Sequence, residues 1–375
     1  MQLKKIFNIN SISKKNLLIA VLTFLTLVSL FGTINKGLIN GCDFQWHPAK
    51  LFWEGKNHYQ LFLSQGKWDF LCQGGQYGHL FQVILYPYAM LEWEIARSLW
   101  LITNLIFLFL IPTVIIKKFN LNFKKSIILY LIFLTCYPSR MTINYGQQSL
   151  FVLFFMMLPY VSKSNFANFF SGFSTIKYST GYIIFLDFLC KREFKKIFIA
   201  SLPYIFGWIF YSFYTGSEYL INFFEPLIWS VKMNYARDND LYSLLNQYFF
   251  QNFNNYLNYF GIACIFLINF FLLKQINKVK NIFLKFSFIC ICPLIFFPHS
   301  NYDYVLMFPL LCYSWSNFNF LICKINFYFI IYFFYFNRIV KHLLDYDILY
   351  QPFSLITIII LLLINLNYFK KYNFN

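Results

Sequence analysis

Apolar runs of helix length recur along the whole chain, and what lies between them is too short to fold apart from a bilayer. The runs fall at about 17–34, 95–116, 126–138, 148–161, 165–176, 179–190, 197–215, 256–273, 281–298, 304–322, 325–341 and 351–369. Charged residues are only 12% of the total and hydrophobic residues 59%, whereas soluble domains are about a quarter charged. The sequence therefore predicts an all-α fold, a polytopic transmembrane helical bundle of about twelve spans. Residues 1–375 are read as a single integral membrane domain. Several runs fall short of the roughly 20 residues that cross a bilayer alone. Short helices of this kind persist when neighbours enclose them or when they line a water-filled cavity.

The formal net charge of +17 does not mark a nucleic-acid surface, because the cations sit in short clusters between apolar runs. Lys117, Lys118, Lys124 and Lys125 form one cluster; Lys191, Arg192, Lys195 and Lys196 another; Lys274, Lys278 and Lys280 a third. Placing these clusters inside, with Lys4, Lys5, Lys370 and Lys371, predicts a multi-pass cell-membrane protein with both termini cytoplasmic. The acids, not used to set that orientation, then fall largely outside: Asp43, Asp69, Glu218, Glu225, Asp238, Asp240, Asp303, Asp345 and Asp347. Residues 78–92 are apolar enough to insert, but a full crossing there would invert the next lysine cluster, so they are read as re-entrant or interfacial. The first run lacks a small-residue cleavage site and is read as an uncleaved helix. Two outside loops follow from this parity, 40–77 and 216–254, and the aromatic stretch Trp46 to Trp53 suits an interfacial helix. The nine cysteines offer no metal-ligand pattern. Cys42 and Cys72 share the first outside loop, where either a disulfide or two thiols is open.

Four polar groups fall at outer ends of apolar runs. Asp43, in Gly41-Cys42-Asp43-Phe44, is a candidate general base or a plain helix cap. Lys177 interrupts two short apolar segments; a lysine at a helix centre costs about 3 kcal/mol and faces a cavity or a partner. If the segments form a hairpin, Lys177 lies at its tip, either binding a phosphate as a point charge or paired within the wall. Arg140 through Gln148 links two runs; Gln147 and Gln148 can bond sugar hydroxyls, or the segment is a polar loop. His299 to Asp303 forms a turn that can bind phosphate, position a hydroxyl or cap helices.

The order and spacing of these residues resemble glycosyltransferase family 87, of the GT-C superfamily. Asp43, Phe44, Ala49, Gly55 and Tyr59 match its opening Asp-Phe, small residue, Gly and Tyr. Tyr77-Gly78-His79-Leu80-Phe81, Pro87, Ala96-Arg97, Trp100 and Asn104 follow its Tyr-Pro-Pro-Leu-Phe, Pro, Ala-Arg, Trp and Asn. Gly146-Gln147 matches Gly-Gln, Gly172 through Lys177 a glycine-containing helix ending in Lys-Pro, and Pro298 to Asp303 a late Pro and Tyr-Asp turn. The resemblance covers about the first 200 residues, and more loosely 290–310. Gly78-His79 departs from Pro-Pro, and Tyr178 from the proline after the lysine.

The resemblance implies a membrane glycosyltransferase that uses a polyprenyl-phosphate sugar donor, mannose by default. It transfers the sugar with inversion to an acceptor hydroxyl of a glycan or glycolipid, without metal or cofactor. Asp43 would be the catalytic base, and Lys177, Arg140, Gln147, Gln148, His299 and Asp303 the substrate-binding residues. The rival readings are a transporter or flippase of lipid-linked sugars, which needs no base, and a structural membrane protein, whose polar residues need not converge. Internal repeats, common in transporters, do not appear in the sequence.

Overall fold

The computed structural model describes residues 14–42, 44–65, 77–118, 121–232, 240–245, 255–297, 299–343 and 351–372. Asp43, Cys72, Pro298, Asp345 and Asp347 lie outside the described residues, so the candidate base and the Cys42–Cys72 pairing have no structural account. Every regular element among the described residues is helical.

The first run forms α1 (Lys14–Asn40), followed by α2 (Trp46–Trp53) and α3 (His58–Gln65). Residues 78–92 form two short helices, α4 (His79–Ile84) and α5 (Tyr86–Ala89), with Pro87 in the first turn of α5. Neither has the length to cross a bilayer alone. Then come α6 (Trp93–Lys118), α7 (Phe123–Thr135), α8 (Tyr137–Tyr145), α9 (Ser149–Val161) and α10 (Asn165–Ser171). A 3₁₀ segment, Gly172–Lys177, leads into α11 (Tyr178–Cys190) and α12 (Phe194–Thr215). The second loop contains α13 (Tyr219–Lys232) and α14 (Leu241–Leu245), so it is partly helical. The rest comprises α15 (Asn255–Ile276), α16 (Ile282–Phe296), a 3₁₀ segment Asn301–Met307, α17 (Phe308–Ser316), α18 (Leu321–Ile331), α19 (Asn337–Leu343) and α20 (Gln351–Tyr372).

All twelve apolar runs carry helix. Among the described residues three stretches are long and apolar enough to cross a bilayer, 20–40, 93–118 and 194–215, and the pair α7–α8, bent by 47°, is either a broken fourth span or a re-entrant loop. The bend follows from sequence: Pro138 starts a new helix, and Cys136 before it is extended, with φ −62° and ψ 146°. The segment from Arg140, read above as a link between runs, is thus largely helix α8. Its polar composition hid it, although Ser139, Thr142 and Ile143 all face the interior.

Which faces are buried separates lipid from core. The three long helices expose large apolar side chains, Phe31 at 68% and Phe206 at 58% among them, an arrangement that hydrocarbon tolerates and water does not. By contrast α16 is buried from Phe283 to Phe296 except at Lys285, as expected of a helix apolar on all sides. Asn326 on α18 and Asn365 on α20 exchange reciprocal amide hydrogen bonds of 2.6 and 2.7 Å, a polar tie between helices that have little hydrophobic reason to associate in lipid.

The bundle has two distinct ends. At one, Lys118 Nζ donates to the Val161 carbonyl and Lys125 Nζ to the Ser316 carbonyl, each at 3.0 Å. The opposite end of α9 begins at Ser149. The two long loops also meet: Asn57 Nδ2 donates to Ser217 Oγ and to Glu225 Oε2 at 3.0 Å, while Tyr214 OH on the last turn of α12 donates to the Trp53 carbonyl at 2.9 Å.

The chain reverses at Lys177, whose backbone (φ −110°, ψ 83°) leaves the helical region. The two arms press so closely that a Cβ on Gly181 would stand 2.3 Å from the Ser174 carbonyl oxygen. Because the obstacle is backbone, Gly181→Ala should destabilise the protein by about 1–3 kcal/mol, the usual range for overpacking. Gly32→Ala, with nothing within 4 Å of the added atom, should leave the thermal midpoint in detergent unchanged. Equal midpoints for the two variants would show that the arms are not closely packed.

Candidate active site

Three interruptions of the helical ladder converge at the end of the bundle where α9 begins. The first is the α8–α9 junction. Gly146 closes α8 in the left-handed region at φ 71°, where a side chain is disfavoured, and the Gln147 amide donates to the Thr142 carbonyl at 2.8 Å. The second is the hairpin tip at Lys177, and the third is the turn from α16 into Asn301–Met307.

The three are joined through Asp303. Lys177 Nζ lies 2.6 Å from both carboxylate oxygens, and the two side chains are 10% and 1% exposed. Ser149 Oγ donates to Oδ1 at 2.5 Å, and the Ser300 amide to Oδ2 at 3.0 Å. The last contact is half of a capping box at the start of the 3₁₀ segment. The carboxylate is thus fully coordinated, and the ammonium also lies 4.9 Å from the centre of the Tyr302 ring. Lys177 and Asp303, both read as substrate-binding candidates, are bonded to each other.

His299 is buried at 3% exposure. Its Nδ1 donates to the Phe297 carbonyl at 3.3 Å, a contact that fixes the tautomer. Nε2 is then an acceptor, and it has no partner among the described residues. Burial pushes the imidazole down to about 4, against the opposing pull of Asp303, so the ring is neutral at physiological pH.

Gln147 and Gln148 are both buried. Tyr77 OH donates to Gln147 Oε1 at 3.1 Å, and the Gly78 amide to the Ile176 carbonyl at 3.0 Å, so the Tyr77-Gly78 segment lies against both the α8–α9 junction and the hairpin tip. Trp100 Nε1 donates to the Gly146 carbonyl at 2.7 Å. The backbone of Gly41 packs on Gly146, and Phe44 stacks on both Trp93 and Trp100, at 5.4 and 5.6 Å between ring centres. The two neighbours that bracket residues 42 and 43 are therefore fixed beside the α8–α9 junction.

Arg140 does not join this cluster. It stands further back on α8 and lines a separate cleft of about 200 Å³ with Lys36, Asn40, Asn144 and Tyr145 among others. Among the described residues, no group of three or more His, Cys, Asp or Glu is placed to hold a metal ion. Sequence reasoning missed Ser149 as a partner of Asp303 and Lys36 as a wall of the cleft. Ser149 was hidden as the first residue of an apolar run, and Lys36 as a flanking charge at the end of another.

Removing one partner of a buried ion pair leaves the other charge uncompensated, at a cost of about 3–5 kcal/mol. Lys177→Met should therefore lower the thermal midpoint markedly, and Lys177→Met with Asp303→Leu should restore most of the loss. A single variant that melts like the parent would show that the pair does not hold the three junctions together.

The model of glycosyltransferase family 87 matches residues 76–304, which include the Tyr77-Gly78 segment, Gln147, Lys177 and Asp303. No curated protein and no solved structure matches the chain at a significant level. The matched region spans more than half of the sequence, and on that ground the chain belongs to glycosyltransferase family 87.

Proposed function

We propose that this glycosyltransferase moves a sugar, with mannose as the first candidate, from a polyprenyl-phosphate donor to an acceptor hydroxyl at the outer face of the cell membrane. The acceptor is a glycan or glycolipid, and Asp43 is the general base. As the acceptor O–H loses its proton to the Asp43 carboxylate, its oxygen attacks the anomeric carbon. The bond from that carbon to the phosphate oxygen breaks, and the electron pair leaves on the polyprenyl phosphate. Attack from the face opposite the leaving group inverts the anomeric centre. An aspartate with an ordinary pKa near 3.9 is a weak base for an alcohol, so proton transfer accompanies departure of the phosphate rather than preceding it.

The observation that carries this reading is the gathering of the α8–α9 junction, the hairpin tip and the His299 turn beside Gly41 and Phe44. A family glycosyltransferase needs a base and sugar-binding groups within one small region. In this reading Gln147 and Gln148 supply hydrogen bonds to sugar hydroxyls, and the open Nε2 of His299 accepts from one of them. Lys177 and Asp303 act mainly by fixing these groups in position, since their charges are satisfied by each other. Both termini and the lysine clusters lie in the cytoplasm.

Asp43→Asn is nearly isosteric and should lower transfer from polyprenyl-phosphate mannose in proteoliposomes by roughly 10²–10⁴-fold, the range for loss of a general base. The melting temperature should be unchanged. Transfer near the parental rate would exclude Asp43 as the base and leave a transport role in contention. The orientation has its own test in a cysteine-free background. An impermeant thiol reagent added outside should label Glu218→Cys and Lys56→Cys but not Lys118→Cys or Arg192→Cys, four positions that are all exposed. The reverse pattern would invert the topology.

A further inference from the structure

Helix α13 turns its polar face into the molecule and its apolar face outward. Asn222 and Glu225 are 0% and 2% exposed, whereas Leu220, Ile221 and Phe224 are 75%, 51% and 48% exposed. Across the loops, α3 supplies His58 and α4 supplies His79 and Gln82, all fully buried. We propose that α13 is a lid over this polar cluster, hinged at Gly216 and released when His58 and His79 take up protons.

The covered groups are poorly satisfied. Nε2 of His58, both ring nitrogens of His79 and both ends of the Gln82 amide have no hydrogen-bond partner among the described residues. A buried polar group left in that state costs about 1–3 kcal/mol, a cost that water removes once the cover lifts. Asn222 faces His79, and its carbonyl receives no helical donor from Pro226, because proline has no N–H. The His79 ring lies 5.0 and 4.8 Å from the rings of Tyr59 and Tyr211, and His58 Nδ1 meets Tyr211 OH at 2.8 Å. Among the described residues no carboxylate pairs with either imidazole.

Polar bonds hold α13 down, together with the packing of Phe223 on Trp208 at 5.0 Å between ring centres. Besides the Asn57–Glu225 contact, Asn222 Nδ2 donates to Ser212 Oγ at 2.8 Å and Trp208 Nε1 to the Tyr219 carbonyl at 2.9 Å. Tyr178 OH donates to the Pro226 carbonyl at 3.0 Å. Gly216 turns the chain from α12 into α13 at φ 64°, and a Cβ there would meet nothing within 4 Å. The turn therefore has room to rotate.

A proton on either imidazole would place an unpaired charge in a dry site, whereas the lifted state lets water solvate it. Burial pushes His79 down to about 3 and holds His58 well below the ordinary value of 6.5, with like-charge repulsion from His79 and His47 added at His58. Both imidazoles bind protons more tightly when uncovered, so acid favours the lifted state from pH 6.5 downward. Glu225 acts in the opposite sense, because burial raises its carboxyl, and it offsets part of the effect as the pH nears the carboxylate range. Tyr59, Tyr178, Tyr204 and Tyr211 also face the cluster, but phenols carry no charge at these pH values. Tyr59 OH donates to the Tyr77 carbonyl, and Tyr77 holds Gln147, so a lifted α13 uncovers a flank of the candidate active site.

The test needs no transfer reaction. In a cysteine-free background, spin labels at Lys56→Cys and Phe224→Cys measure the separation of α3 from α13 in the full-length chain, in phosphatidylcholine nanodiscs at pH 8, 7, 6 and 5. A short distance at pH 8 should give way to a longer one, the ratio of long to short rising about tenfold per pH unit for each imidazole below pH 6.5. His79→Gln should remove about a factor of ten per unit from that rise, and His58→Gln with His79→Gln should abolish it while keeping the distance seen at pH 8. A second label pair, Lys118→Cys with Lys278→Cys, should hold its distance throughout. A parental distance unchanged from pH 8 to pH 5 overturns the proposal, as does an acid response that survives in the double variant. Should the double variant lack the parental distance at pH 8, an undiminished slope in His79→Gln alone overturns it. So does parallel spreading of the second pair, which marks general unfolding.

Discussion

The buried ion pair between Lys177 and Asp303 is the contact on which the arrangement of this end of the molecule depends. In hydrocarbon an interrupted helix exposes backbone groups that only protein or trapped water can satisfy. Here three interruptions are placed together, and the polar groups of each answer those of the others. The hairpin contributes an ammonium, the α16 turn a carboxylate, and α9 the hydroxyl of its first residue. The short helices that compose these elements have little independent reason to insert, yet as a group they enclose a polar centre whose charges cancel. A carboxylate with only one of these partners would be costly at such burial, so the contacts stand or fall together.

That cancellation changes what the polar residues can do. A lysine bonded to both oxygens of an aspartate is a poor ligand for an incoming phosphate, because the anion would have to displace a bonded carboxylate. It is a good device for holding a hairpin tip at a fixed height. The side chains at this end then separate by their state of coordination. Lys177, Asp303 and Ser149 form a closed set. His299, held in one tautomer with a buried acceptor still open, and the two cations of the α1–α8 cleft remain available to a ligand.

Much of this was legible in the sequence. Each of the twelve apolar runs carries helix, the Trp46 to Trp53 stretch is a helix with those bounds, and the lysine between two short runs sits at a hairpin tip. Such features are local: hydrophobic periodicity and the cost of a charge in lipid act over a few residues. What the sequence hid depends on distance along the chain. Asp303 is 126 residues from Lys177, and no local pattern announces that pairing. Helix α8 was hidden differently, because its polar face made it look like a loop, and only the Pro138 start and Gly146 stop mark it as a helix. Lys36 resembled an ordinary flanking charge until α8 was laid beside it.

The division into a closed network and an open cationic cleft fits a reaction that separates charge. A transferase that releases a lipid phosphate must stabilise a dianion leaving one side of the sugar while neutral hydroxyls are aligned on the other. Fixed neutral dipoles such as Gln147 and His299 suit the alignment, since they recognise hydroxyl geometry without attracting stray anions. Gly41 touches Gly146 at the α8–α9 junction, and Asn40 before it lines the cleft. The chain therefore passes, at Asn40 and Gly41, from the cleft to the α8–α9 junction.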